Sequence, residues 1–116
     1  MMTVTIYHNP RCSKSRQTLA LLIDKGVKPE IVEYLKTPPT QKELSRILEL
    51  LGLTPRTLIR KKESEYKNLG LDNANLDELT LIAAMVSNPI LIERPIVVTE
   101  NNAAIGRPPE NVLKII

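Results

Sequence analysis

The strongest constraint on the fold lies between Thr3 and Leu35. A β-branched run, Thr3 to Tyr7, ends at His8-Asn9-Pro10, helical spacing follows through Leu19, Leu22 and Ile23, and a second strand-like run covers Glu30 to Leu35. Gly26 stands where a left-handed cap would stop the helix, which is expected from about Ser13 to Lys25. Two strands joined by a helix form a βαβ unit, which makes them parallel and their crossover right-handed.

The rest of the chain adds helices and a hairpin. Thr37-Pro38-Pro39 breaks the pattern; Thr40 and Glu43 then form a capping box ahead of Leu44, Ile47, Leu48 and Leu51, and Gly52 stops that helix. A short helix is expected from Thr54-Pro55 toward Arg60, and a loop with one helical turn over the polar stretch Lys61 to Asn73. Asn75 with Glu78 suggests the next cap, with Leu76, Leu79, Ala83 and Val86 on one side, and Asn88-Pro89 as the end. Pro95 to Thr99 and Ala103 to Ile105 flank Glu100-Asn101-Asn102, where Asn can take positive φ, so they read as an antiparallel hairpin; Pro108-Pro109 begins a final helix. The order β-α-β, helical insertion, α, β-β-α predicts an α/β fold with a mixed four-stranded sheet. One domain is expected over residues 1–116, with the insertion at about 40–73.

Composition agrees with one globular domain. At 116 residues, 42% hydrophobic and 25% charged, the chain is neither disordered nor fibrous. Cys12 and His8 are its only cysteine and histidine, which excludes an internal disulfide and a Cys/His zinc site. Without a long apolar stretch or a signal-like N-terminus, it is expected to be soluble and cytoplasmic, with no membrane partner. The net charge is +3, but the charges alternate in sign and no Trp or Phe is present to stack on bases. That speaks against nucleic acid and for a site that takes an anion.

Cys12 stands at the entry to the first helix, where free amides and the positive end of the dipole favour a thiolate, with Arg11, Lys14 and Arg16 close in sequence. A solitary cysteine is often just a small buried hydrophobe, but the polar and charged neighbours of this one argue against a core position. The same amides suit a tetrahedral oxyanion. A phosphatase-like Cys-x5-Arg motif is absent, because position 18 is Thr, and so is a Cys-x-x-Cys pair, because position 15 is Ser. A two-electron reduction through Cys12 would therefore need the thiol of another molecule.

These residues and several further runs resemble the glutaredoxin-coupled arsenate reductase (ArsC) family along the whole chain. The matching segments are Tyr7-His8-Asn9-Pro10, Cys12, Ser15-Arg16, Tyr34-Leu35 with Pro38-Pro39, Leu58-Ile59-Arg60-Lys61, Asn88 to Ile92, Arg94 to Thr99 and Arg107-Pro108. Cys12-Ser13-Lys14-Ser15 departs from the Cys-Gly-Thr-Ser of familiar members, and the stop at Ile116 suggests a short-chain branch. The resemblance implies a thioredoxin-like fold with a cis proline facing the cysteine, here Arg94-Pro95. It implies Cys12 as the nucleophile toward arsenate or a related oxyanion, His8 helping to activate the thiolate, and the Ser15 hydroxyl bonding to the sulfur. Arg60, Arg94 and Arg107 would bind the oxyanion. Glutathione would serve as co-substrate and glutaredoxin as partner in arsenic detoxification, with no bound cofactor or metal and a monomeric chain. Two alternatives share the fold: a monothiol glutathione-linked oxidoreductase with another substrate, and an Spx-like regulator that binds RNA polymerase.

Overall fold

Residues 3–116 are described by a computed structural model. Four strands, β1 (Thr5–His8), β2 (Glu30–Glu33), β3 (Ile96–Val98) and β4 (Ala103–Ile105), form one mixed sheet over these residues, in the order β2-β1-β3-β4. β1 runs parallel to β2 and antiparallel to β3, which pairs antiparallel with β4. This is the thioredoxin-like arrangement. Pairing of Tyr7 with Ile96, and of Ile96 with Ile105, brings the end of β1, the start of β3 and the end of β4 to the same end of the sheet.

Two compact units divide the chain: the residues before Pro38 with Arg94–Ile116, and Pro38–Glu93. In the first, helix α1 (Ser13–Asp24) and a 3-10 helix at Pro109–Lys114 pack with the sheet. Its core joins Val4, Ile6 and Val97 of the sheet region to Leu22 and Val112. Burying a side chain of the size of Leu22 contributes about 1.5–3 kcal/mol. α1 stops as expected, with Gly26 at φ 79°, but its fully buried residues are Ser15, Thr18 and Leu22, whereas Ile23 is exposed. Hydrophobic spacing marked Leu22, which is in the core, and Leu19, which packs against it, but not Ser15 and Thr18, because those two buried positions are hydroxyl residues. The β3–β4 connection contains no positive-φ Asn; Thr99 closes it instead, its hydroxyl accepting the Asn102 amide at 3.1 Å and its own amide donating to the Asn102 carbonyl at 2.8 Å. The Arg94-Pro95 bond is cis, as anticipated, and Arg107-Pro108 is cis as well.

The second unit is helical. The Thr40–Glu43 capping box starts α2 (Gln41–Leu51), and Gly52 at φ 68° ends it. Thr54 caps α3 (Pro55–Leu58), and α4 (Ser64–Asn68) is the helical turn expected in the polar stretch. Arg56 ties that stretch down, donating to the Tyr66 hydroxyl and to the Leu71 and Asn73 carbonyls. α5 (Glu78–Ser87) is capped by Asp77, not Asn75, and buries Leu81, Ile82 and Met85 while Leu79 is exposed. Its run from Leu81 to Val86 is apolar on every side, so spacing alone did not fix the face. The segment expected as an insertion at about 40–73 is grouped here with α5 and a 3-10 turn at Pro89–Leu91.

Gly106, just past β4, has no room for a side chain. A Cβ there would strike the hydroxyl oxygen of Thr18 and lie 2.8 Å from Pro95 Cγ, and both neighbours are buried. Gly106→Ala is expected to lower unfolding free energy by about 1–3 kcal/mol in urea denaturation. Adding Thr18→Ala, which removes the struck atoms, should recover part of that loss; strict additivity of the two costs would contradict the clash.

Candidate active site

The loop after β1 is shaped by Asn9, whose side-chain oxygen accepts the Arg11 amide at 3.0 Å and whose carbonyl accepts the Cys12 amide at 3.0 Å. Cys12 thereby takes the N-cap position of α1. It is 8% exposed, more buried than its polar neighbours suggested, yet it lies outside the apolar cluster of the first unit.

Burial pushes the Cys12 thiol up, but the Ser15 amide, the Arg94 guanidinium, the Lys14 amide and the Arg107 guanidinium together outweigh it, so the thiol ionises below its ordinary range. The cations responsible are distant in sequence. Arg11 and Lys14, expected to help through proximity, are exposed, and Arg16 turns its guanidinium to the Pro10 carbonyl at 2.9 Å. Arg107 donates through Nε to the Arg94 carbonyl at 2.8 Å and through Nη2 to Cys12 Sγ at 3.5 Å. Absorbance of the thiolate, followed against pH, should show a midpoint below that of the same cysteine in the urea-unfolded chain; a midpoint at or above the unfolded one would contradict this electrostatic balance.

His8 and Ser15 form a second, buried layer. The Ser15 hydroxyl lies 2.6 Å from His8 Nδ1 and accepts the Asn9 amide at 3.0 Å. The resemblance led us to expect this hydroxyl on the sulfur; here the Ser15 amide takes that part, and the hydroxyl is committed to His8 and Asn9. Burial lowers the His8 pKa, with Glu33 opposing and Arg16 adding to the effect. The imidazole is thus neutral at pH 7, and the unfolded chain takes up this proton at higher pH than the folded one. Stability therefore falls as pH drops below ~6.5 and is recovered above it. His8→Gln should flatten that part of the stability–pH curve.

Arg60 belongs to the second unit, where Nη1 makes a 2.9 Å ion pair with Glu63 and a 3.4 Å hydrogen bond to the Ile90 carbonyl. Arg94 and Arg107 thus meet Cys12 within the first unit, and Arg60 is held within the other. Spacing in the sequence gave no sign of Thr18 and Gly106, whose close fit sets the backbone just before Arg107. Among the described residues no helix is long and apolar enough to cross a membrane.

A model of the ArsC family matches residues 7–115. The chain is 56% identical over 114 residues to the uncharacterized protein YfgD of Escherichia coli (strain K12), covering 97% of this chain and 96% of that one. It is 49% identical over 117 residues to an arsenate reductase of Neisseria meningitidis serogroup A, covering the whole of both chains. A solved arsenate reductase from Vibrio cholerae matches with a TM-score of 0.96 at 52% identity, over 99% of this chain and 98% of that one.

Proposed function

The chain belongs to the ArsC family, and from that premise we propose that it reduces arsenate to arsenite through Cys12, with glutathione as the second thiol and glutaredoxin as the recycling partner. The carrying observation is the 3.5 Å approach of Arg107 Nη2 to Cys12 Sγ, beside the Arg94 charge that also favours the thiolate. Guanidinium groups stay charged and bind oxyanions through paired donors, so a group that steadies the thiolate can also take the arsenate oxygens. Arg60 is the third arginine of this reading, carried by the family motif.

The Cys12 thiolate attacks arsenic, and one arsenate oxygen leaves as water, which gives a covalent thiol–arsenate adduct. Glutathione then attacks. A sulfur–sulfur bond forms between Cys12 and glutathione, the two electrons released reduce arsenic from the pentavalent to the trivalent state, and arsenite leaves. Glutaredoxin reduces the mixed disulfide and restores Cys12. With one cysteine in the chain, the second sulfur has to come from another molecule. The first step needs an ionised sulfur, which the amides of Ser15 and Lys14 support.

Purified protein with glutathione, glutaredoxin, glutathione reductase and NADPH should consume NADPH when arsenate is added. Omitting glutaredoxin should stop turnover after the mixed disulfide forms. No arsenate-dependent consumption with all components present would overturn the substrate assignment.

A further inference from the structure

Thr18 is fully buried in α1. Its hydroxyl donates back to the Lys14 carbonyl at 2.8 Å, the i−4 bond open to a threonine inside a helix, and lies 3.4 Å from the Gly106 carbonyl oxygen. The hydroxyl has one proton, and the shorter contact takes it. That bond fixes χ1, so Oγ1 and Cγ2 are both held in the space that a Gly106 Cβ would need, with Pro95 Cγ as the third neighbour.

Gly106 and Arg107 are tied in turn to the segment before β3. The Gly106 amide donates to the Pro95 carbonyl at 2.9 Å, Arg107 Nε donates to the Arg94 carbonyl at 2.8 Å, and Arg107 Nη2 reaches Cys12 Sγ at 3.5 Å. Because Cys12 caps α1, these contacts close a circuit. It runs from the sulfur along the first turn of α1 to Lys14 and Thr18, across to Gly106, and through the Arg107 side chain back to the sulfur. We propose that Thr18 is a positioning residue that acts through Arg107, its Lys14-bonded hydroxyl setting the separation between α1 and Gly106 at which the guanidinium meets the thiolate. The consequence for arsenate, a lower kcat/KM when Thr18 is lost, rests on the reductase reading.

Thr18→Val keeps the size of the side chain but loses the proton, and it sets a methyl 2.8 Å from the Lys14 carbonyl oxygen, closer than carbon and oxygen pack, so the side chain has to shift against Gly106. Thr18→Ala withdraws both groups from Gly106 and is a strong helix former, so it carries the comparison if Thr18→Val does not fold. Thr18→Ser keeps the hydroxyl. Thiolate absorbance of the full chain, titrated against pH, should show a higher Cys12 midpoint in Thr18→Val and Thr18→Ala, part of the way to that of Arg107→Ala, and a midpoint near wild type in Thr18→Ser. Arg107→Ala should also raise the midpoint by less in the Thr18→Ala background than in the wild type, a coupling that a general loss of stability does not produce. A wild-type midpoint in Thr18→Ala, a Thr18→Ser midpoint as high as that of Thr18→Ala, or an undiminished Arg107→Ala shift in the Thr18→Ala background would each overturn the proposal. These titrations need no arsenate, so their failure and the failure of the reductase reading are distinguishable.

Discussion

Cys12→Ser should lose arsenate-dependent turnover by roughly three orders of magnitude or more, because the nucleophile and the sulfur that joins glutathione are removed together. The fold should survive. Cys12 occupies an N-cap position, where serine is a favoured residue, so unfolding free energy should change by no more than about 1 kcal/mol in urea. Absorbance of the thiolate should vanish at the same time, since the chain has no other cysteine. Substantial turnover in the folded variant would remove the covalent route.

Arg94→Ala and Arg107→Ala should each cut kcat/KM for arsenate by about 10²–10³-fold, the usual cost of removing one preorganised donor from a developing oxyanion. Both should also raise the midpoint of Cys12, and Arg94→Ala by more, because Arg94 acts more strongly on the sulfur than Arg107 does. Lysine variants separate the two roles. Arg107→Lys keeps the charge near the sulfur but loses the fork that reaches the Arg94 carbonyl and Cys12 together, so the midpoint should stay low while arsenate turnover falls. A thiol midpoint that ignored both arginines would show that the α1 amides alone hold the thiolate.

Much of the fold was legible in the residues. The capping box at Thr40 and Glu43, the glycine stops at Gly26 and Gly52 and the βαβ unit are local signals, and each appears in the structure near its expected position. Faces were harder to read. In α1 the buried side carries Ser15 and Thr18 beside Leu22, and in α5 nearly every residue is apolar, so the spacing rule had either part of the face or no contrast.

Legibility of the candidate site divides the same way. Placing Cys12 at the head of a helix needed only the order of strand, turn and helix, because an N-cap is a local property of the backbone. Which charges reach the sulfur did not follow from that order: Arg11, Lys14 and Arg16 are near in the chain, yet Arg94 and Arg107 are the cations that act. Antiparallel pairing of β1 with β3 and of β3 with β4 carries those two residues to the end of the sheet where Cys12 sits. The chain's local chemistry thus determined where a reactive thiol stands, whereas only strand pairing, a long-range consequence of burying the apolar side chains of the sheet, decided which guanidinium groups meet it.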